Sequence, residues 1–226
     1  MNQEPFLDQS PGEPPVRGFL HRAENAKADA LVLTHSAGGN CASALLVSLA
    51  EAFCGAGITV LRCDLPFRQR RPKGPPLGTA KEDQSGLRRA IEVLRPHTGG
   101  RVFLGGHSYG GRMATMLAAE DRACADGLLL LSYPLHPPRK PNQLRTVHFP
   151  DLHTPSLFVH GSRDPFASQE EIRAALQLIP AKNSILEIEG AGHELIGNHS
   201  AASVIERIIG SAIDFFGLPV ARTGGD

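Results

Sequence analysis

The chain has 226 residues, enough for one domain, and its 41% hydrophobic content is sufficient for a sizeable core. Its 23 basic and 23 acidic residues give a formal charge of zero, which argues against general binding to nucleic acid or to an anionic membrane. No apolar run approaches the roughly 20 residues of a membrane span. The polar, acidic residues 1–12 lack the pattern of a signal peptide.

The four cysteines are isolated from one another within apolar surroundings, at Cys41, Cys54, Cys63 and Cys124. None has the C-x₂-C spacing that is typical of a metal site. We therefore expect reduced, buried thiols in a cytoplasmic protein that uses no metal and no cofactor.

Elements are predicted in chain order from apolar periodicity and from helix and turn signals. Residues 1–15 are rich in proline, glycine and glutamate, and we expect them to be disordered. Residues 16–218 are expected to form a single domain, followed by a flexible tail at residues 219–226. Strands are predicted at residues 16–23 (a first edge strand), 30–34, 58–63, 101–104, 127–131, 156–160 and 184–188. Helices are predicted at residues 42–54, 80–95, 112–120, 168–179 and 200–216.

Two longer segments lack periodicity. Residues 67–78 are predicted to be a loop with several basic side chains, and residues 133–155 are proline-rich. The second segment is too short to form a multi-helix cap. The alternation of strands and helices predicts an α/β fold: a three-layer α/β/α sandwich with a mostly parallel sheet and a minimal or absent cap. Ligand sites in such sheets lie at the carboxyl ends of the strands.

The motif G-x-S-x-G spans residues 106–110, between a predicted strand and a predicted helix. A serine on such a sharp turn projects its hydroxyl from the end of the sheet, within reach of a base. The glycines allow the strand and the helix to approach closely. The pattern alone can arise by chance, so the hypothesis that Ser108 is a nucleophile depends on what surrounds it.

A serine nucleophile needs a base, and the base needs an orienting acid. Asp164 and His193 each follow a predicted strand, in the chain order serine, acid, histidine. We therefore predict a catalytic triad of Ser108, Asp164 and His193. Taken by itself, Asp164 before a proline is more typical of a turn aspartate that stabilises its own loop.

Rival acids and bases fit less well. Asp126 precedes its strand and so lies at the wrong end of the sheet, and Asp64 precedes the serine in the chain. The rival bases are His107 and His160. We predict that His35, Asp64 and His107 line the substrate pocket.

An acyl-transfer site also needs hydrogen-bond donors for the developing oxyanion. One predicted donor is the backbone N–H of Tyr109, at the start of the helix. The second is expected from the loop at residues 34–40, where Ala37 is the first choice and Ser36 the second.

The segments THSAGGN, DLPF, GGHSYGGR, HGSRDPF and GAGHEL resemble those of small single-domain α/β-hydrolases, over about residues 16–217. The chain is similar to dienelactone-hydrolase-like and acyl-thioesterase-like members, and to the testis-expressed (Tex) hydrolase-like proteins. The resemblance implies the same triad. Many dienelactone hydrolases have a cysteine nucleophile where this chain has Ser108.

These patterns predict a metal-independent serine hydrolase that cleaves an ester or thioester of a small or flexible acyl substrate through an acyl-enzyme. An amide or peptide hydrolase on the same triad remains open, as does a non-catalytic binding or scaffold protein on the same fold. The basic segment at residues 68–73 either steers an anionic substrate or is an ordinary solvated loop.

Overall fold

The computed structural model describes residues 3–24, 28–196 and 201–218. The predicted tail at residues 219–226 lies outside the described residues. The strands are β1 (Gln3–Asp8), β2 (Val16–His21), β3 (Ala30–Thr34), β4 (Thr59–Cys63), β5 (Val102–His107), β6 (Leu128–Leu131), β7 (Ser156–Gly161) and β8 (Asn183–Ile188). The helices are α1 (Ala44–Gly55), α2 (Pro66–Arg70), α3 (Ala80–Leu94), α4 (Tyr109–Glu120), α5 (Gln169–Leu176) and α6 (Ala201–Phe216).

The strands form one sheet in the order β1-β2-β4-β3-β5-β6-β7-β8. β1 and β2 are antiparallel to their neighbours, and the strands from β4 to β8 in that order are parallel. Thr34, the last residue of β3, is in register with Cys63 of β4 and Gly106 of β5. The loops after these strands therefore meet at one edge of the sheet, as the sequence predicts.

Helices cover both faces of the sheet. α1 and α6 pack on one face, and α3, α4 and α5 pack on the other. Neighbouring residues of a strand alternate between the two cores: Leu31 and Leu33 face α1, whereas Val32 faces α3. Because both faces are covered, the central strands are continuous apolar runs. The prediction of a three-layer α/β/α sandwich with a mostly parallel sheet is confirmed.

Local sequence signals set several helix ends. Thr79 and Glu82 form a reciprocal capping box at the start of α3, and Ser168 and Glu171 form the same device at the start of α5. α3 ends two residues before Pro96, which cannot continue a helix. The predicted bounds of these two helices are therefore correct to within a few residues.

Residues 3–8 form a strand, contrary to the expectation that residues 1–15 are disordered. Strand β1 pairs with β2 along its whole length. The prediction that β2 is an edge strand is therefore wrong, because β1 is the edge. Arg89 of α3 pairs with Asp8 at 3.0 Å, and Arg22 pairs with Glu4 at 2.7 Å. Backbone pairing and charged partners distant in sequence outweigh the local composition here.

The two irregular segments also contain order. Residues 67–78 begin within α2, which has Pro66 at its first turn and buries Phe67. Residues 133–155 contain a single 3₁₀ turn, and their buried apolar side chains join the core at Tyr133, Leu135, Phe149 and Leu152. This insertion therefore packs onto the sandwich and forms no helical cap.

All four cysteines are free thiols; three are buried and Cys54 is half-buried. Within the described ranges, no helix is both long and apolar enough to cross a bilayer. The same part of the chain contains no group of three or more His, Cys, Asp or Glu side chains arranged to hold a metal ion.

Candidate active site

Ser108 lies on the turn between β5 and α4 and has a φ of 53°. This is a conformation that non-glycine residues rarely adopt, and it costs free energy. A Cβ at Gly106 would lie 2.4 Å from the carbonyl carbon of Gly110. A Cβ at Gly110 would lie 2.6 Å from Cγ2 of Thr34. Both flanking glycines are therefore required by close packing, and the predicted strand-turn-helix context of the motif is confirmed.

Backbone hydrogen bonds hold the strained turn in place. The Ser108 N–H donates to the Leu131 carbonyl at the end of β6, at 2.8 Å. The Ser108 carbonyl accepts from the Arg112 N–H at 3.0 Å, which is the first bond of α4. The serine is thus fixed to a neighbouring strand and to its own helix at the same time.

The structure brings the three predicted triad side chains together. Nε2 of His193 lies 2.8 Å from Oγ of Ser108, and Nδ1 of His193 lies 2.8 Å from Oδ2 of Asp164. The Asp164 carboxyl group is completely buried, while 16% of the His193 side chain is exposed. Because a carboxylate only accepts, Nδ1 carries the proton and Nε2 is free to accept from the serine hydroxyl.

The loops that carry the acid and the histidine are packed against each other. A Cβ at Gly161 would lie 2.4 Å from the Ala191 carbonyl oxygen, so the two loops approach so closely that only glycine fits at this position. The Phe166 N–H donates to Oδ1 of Asp164 at 2.9 Å. The Phe166 ring lies against the His193 ring, with centroids 4.2 Å apart. Phe166 thus contacts both partners, and its place in the HGSRDPF segment was the only sequence signal for it.

The three predicted substrate-binding side chains are all buried, and each has partners within the protein. His35 donates from Nδ1 to the Ser36 carbonyl and accepts the Leu65 N–H at Nε2. His107 donates from Nε2 to the His193 carbonyl at 2.9 Å. Burial lowers the pKa of His35 to about 4 and lowers the pKa of His107, so both are neutral at pH 7. Contact of either with substrate stays a prediction.

Asp64 accepts the Cys41 N–H at 2.8 Å and pairs with Arg17 at 3.0 Å. It lines a cleft of about 570 Å³, formed by β1, β2 and the loops after β3 and β4. None of the three predicted triad residues lines this cleft. Asp64 therefore ties these loops together, and its contact with substrate also stays a prediction.

The remaining rival residues lie apart from the serine. Asp126 accepts the Val102 N–H at 2.8 Å, at the opposite end of β5 from Ser108. His160 is buried and donates from Nε2 to the Ala167 carbonyl. Its Nδ1 lies 3.9 Å from Asp164, behind the acid. The structure gives neither residue a hydrogen bond to Ser108 or His193.

The candidate oxyanion donors are unpaired within the described residues: the N–H groups of Tyr109, Ala37 and Ser36 donate to no acceptor there. Tyr109 is the first residue of α4, where helix N–H groups have no intrahelical partner. Ala37 lies in a turn closed by a 3.1 Å bond from the Gly39 N–H to the Ser36 carbonyl. The geometry leaves the choice between Ala37 and Ser36 open.

Two supporting residues were missed by the sequence reasoning. Arg68 of α2 is buried and donates to the Ala37 carbonyl at 2.7 Å. Asp83 of α3 accepts the Tyr109 hydroxyl at 2.7 Å and the Phe67 N–H at 3.2 Å. Asp83 lies on the same face of α3 as Leu87. An acidic residue on an otherwise apolar helix face was the sequence signal that could have identified it. Nothing in the local sequence distinguishes Arg68 from its basic neighbours.

A family model described as an alpha/beta hydrolase domain matches residues 27–216. The fold is similar to a serine hydrolase homologue from Coxiella burnetii, with a TM-score of 0.75 and 18% identity over 93% of this chain and 98% of that one. It is also similar to an α/β serine hydrolase without a lid from Xanthomonas campestris, with a TM-score of 0.74 and 17% identity over 97% and 96% of the chains. A dienelactone hydrolase from Anabaena variabilis has a TM-score of 0.73 and 21% identity over 95% and 97%. At these identities the structural likeness is one of fold, and the family model supplies the membership: this chain belongs to the alpha/beta hydrolase domain family.

Proposed function

We propose that this chain is a serine hydrolase that cleaves a carboxylic ester or thioester through an acyl-enzyme on Ser108. The observation that carries the proposal is the hydrogen-bonded row from Ser108 through His193 to Asp164, with both bonds at 2.8 Å. Ser108 has a strained backbone and lies between a strand and a helix, which is the geometry of a nucleophile elbow. Family membership supports hydrolysis as the reaction class.

In the proposed first step, Oγ of Ser108 attacks the carbonyl carbon while Nε2 of His193 takes the hydroxyl proton. The carbonyl π electrons move onto oxygen, which becomes an oxyanion. His193 then gives the proton to the leaving oxygen or sulfur as that bond breaks. Buried Asp164 holds the proton on Nδ1 and stabilises the imidazolium. Water repeats the sequence to release the acid.

The oxyanion would be bound by the N–H groups of Tyr109 and Ala37, with Ser36 as the alternative to Ala37. These N–H groups donate to no acceptor among the described residues, so they need give up no protein partner as charge develops. Tyr109 adds the positive end of the α4 dipole. His35 and His107 carry no charge near neutral pH, because burial lowers the pKa of each.

The proposed substrate has a small or flexible acyl group. The insertion at residues 133–155 packs into the core and adds no helical cover over the serine. Two of the cations in the basic segment are not free to steer an anionic substrate, as that prediction would require. Arg68 is buried on backbone carbonyls, and Arg70 pairs with Glu82 at 2.8 Å.

The test is a hydrolysis screen over acyl esters, thioesters and aminoacyl amides of increasing length, run on the wild type and on Ser108→Ala. The matched control is Ser184→Ala, an exposed serine on β8. We expect Ser108→Ala to lower kcat by about 10⁶-fold, as in dissected serine hydrolase triads, and the control to leave it unchanged.

Labelling by a fluorophosphonate probe gives the second readout. We expect labelling of the wild type and of Ser184→Ala, and none of Ser108→Ala. Labelling that persists in Ser108→Ala would overturn the assignment of the nucleophile. A wild type that reacts with no ester, thioester, amide or probe would favour the non-catalytic binding protein.

A further inference from the structure

Arg68 is a buried cation held without an acidic partner. Arg68 is 2% exposed, and it makes no ion pair among the described residues. Its guanidinium donates instead to three backbone carbonyls, of Ala37 at 2.7 Å, Gly74 at 3.0 Å and Arg71 at 3.2 Å. Burying a charge is costly unless it is hydrogen-bonded, and here Nη1 and Nη2 have carbonyl partners while the buried Nε has none among the described residues. An arrangement of this kind therefore indicates a guanidinium used to fix loop backbone.

Besides Arg68, the turn at residues 36–39, here called the oxyanion turn, is held among the described residues by one other side chain: buried His35 donates from Nδ1 to the Ser36 carbonyl at 2.8 Å. Its one internal backbone bond joins Gly39 to Ser36. Gly38 at its tip is exposed, and a Cβ placed there would meet nothing within 4 Å. Apart from the Arg68 bond, the described residues provide no hydrogen bond to the Ala37 carbonyl. The Ala37 N–H belongs to the same peptide unit as the Ser36 carbonyl, which His35 and Gly39 hold, and the Arg68 bond fixes the peptide unit that follows. Holding both peptide units restricts where the Ala37 N–H can point.

Phe67, the residue before Arg68, connects α2 to Tyr109, the other candidate oxyanion donor. The Phe67 ring packs edge-on against the rings of Tyr109 and His35, with centroid distances of 5.6 Å in both cases. Asp83 accepts both the Phe67 N–H and the Tyr109 hydroxyl. Helix α2 is thus fixed to the start of α4, and through Arg68 it reaches the oxyanion turn.

We propose that Arg68 is a positioning residue that sets the oxyanion turn at the distance from Tyr109 at which both backbone N–H groups bind one oxyanion. This inference rests on the proposed serine hydrolase function and extends it to a residue that acts through the backbone of Ala37. The basic segment thereby acquires a role through Arg68 that does not depend on substrate charge. Lysine cannot replace it, because one ammonium cannot reach three carbonyls in the geometry of a planar guanidinium.

The test compares Arg68→Met and Arg68→Lys with Arg70→Met, an exposed neighbour in the same short helix. Each variant is assayed on p-nitrophenyl acetate and on its thionoester analogue, in which sulfur replaces the carbonyl oxygen. Sulfur accepts hydrogen bonds weakly, so the ester rate depends on the donors much more than the thionoester rate does. Losing one such donor costs about 10²–10³-fold in kcat, and a displaced donor should cost about 10–100-fold.

We expect both Arg68 variants to lower kcat on the ester by that factor, with little change in KM and a much smaller loss on the thionoester. Added guanidinium ion should restore part of the ester rate of Arg68→Met, and Arg70→Met should behave as wild type. Equal losses on both substrates, or an unchanged ester kcat, would overturn the proposal. If Arg68→Met does not fold, Arg68→Lys decides by the same ratio.

Failure of this inference is separable from failure of the proposed function. If the wild type cleaves the ester and Ser108→Ala does not, unchanged substrate ratios in the Arg68 variants refute the positioning role alone. If the wild type cleaves neither substrate and Ser108 takes no fluorophosphonate label, both proposals fail.

Discussion

Asp164→Asn changes one atom of the candidate triad, and the structure determines which way the new amide faces. Oδ1 of Asp164 accepts the Phe166 N–H at 2.9 Å, so the amide oxygen of asparagine keeps that place. Its NH₂ group must then face Nδ1 of His193, where Oδ2 accepts the hydrogen bond from Nδ1–H in the wild type. The amide donates to Nδ1, and the ring proton moves to Nε2. His193 then has no lone pair for the Ser108 hydroxyl.

The expected loss in kcat is about 10⁴-fold, the size of the effect when the tautomer is wrong in a known triad, or about 5 kcal/mol of transition-state stabilisation. The measurement is kcat and KM on an activated ester, alongside thermal unfolding followed by circular dichroism. Because the shape of the side chain is kept, we expect KM to change little.

The control is Asp126→Asn, which alters the hydrogen bond that exposed Asp126 accepts from the Val102 N–H at the other end of β5. It should lower stability and leave kcat unchanged. An Asp164→Asn variant that retains kcat within tenfold of wild type would refute the reasoning. Equal losses in the two variants would show that the effect comes from folding and not from the tautomer.

Three further predictions concern packing, pH and thiol reactivity. Gly106→Ala should lower the free energy of unfolding by about 3 kcal/mol or more, measured by urea denaturation, because its Cβ would lie 2.4 Å from the Gly110 carbonyl carbon. Burial lowers the pKa of His35 from 6.5 to about 4, so the folded state binds fewer protons between these values. The His35 contribution to stability should therefore fall by about 3 kcal/mol as pH drops from 6.5 to 4, and His35→Gln should remove that part of the slope. Burial raises the pKa of Cys63 strongly, so in the native protein iodoacetamide should spare it and react first with half-buried Cys54, as read by mass spectrometry.

The sequence allowed the parallel core to be predicted because local signals and burial agree there. β6 is four leucines, fully buried on both faces, and α3 begins at a capping box. The Ser108 turn was found from its local motif: Gly106 is required by contact with nearby Gly110, whereas Gly110 is required by contact with the distant Thr34 of β3. The order of the strands in the sheet is set by pairing between segments that are distant in the chain. No local sequence pattern specifies that order.

The errors occurred where long-range partners decide the structure. Residues 3–8 have the composition of a disordered segment, yet they pair with β2 and are held by Arg89. Arg68 looked like one of several solvated cations, and only the folded chain shows it turned inward onto the Ala37 carbonyl. A buried polar contact between separate loops leaves no periodic trace in the sequence, so reasoning from periodicity misses it.

Hydrogen bonds hold three of the loops around the candidate site, two of them from buried side chains of neighbouring elements and one from backbone of the same loop. Arg68 holds the oxyanion turn, His107 holds the backbone of His193, and the Phe166 N–H holds Asp164. The insertion that relatives with caps would use for enclosure contributes its aromatic side chains to the core. Under the proposed function, the reacting geometry is therefore set before substrate arrives, and the energy for it comes from folding. Substitutions at these anchors should lower kcat more than they raise KM, because they displace groups that act in the transition state.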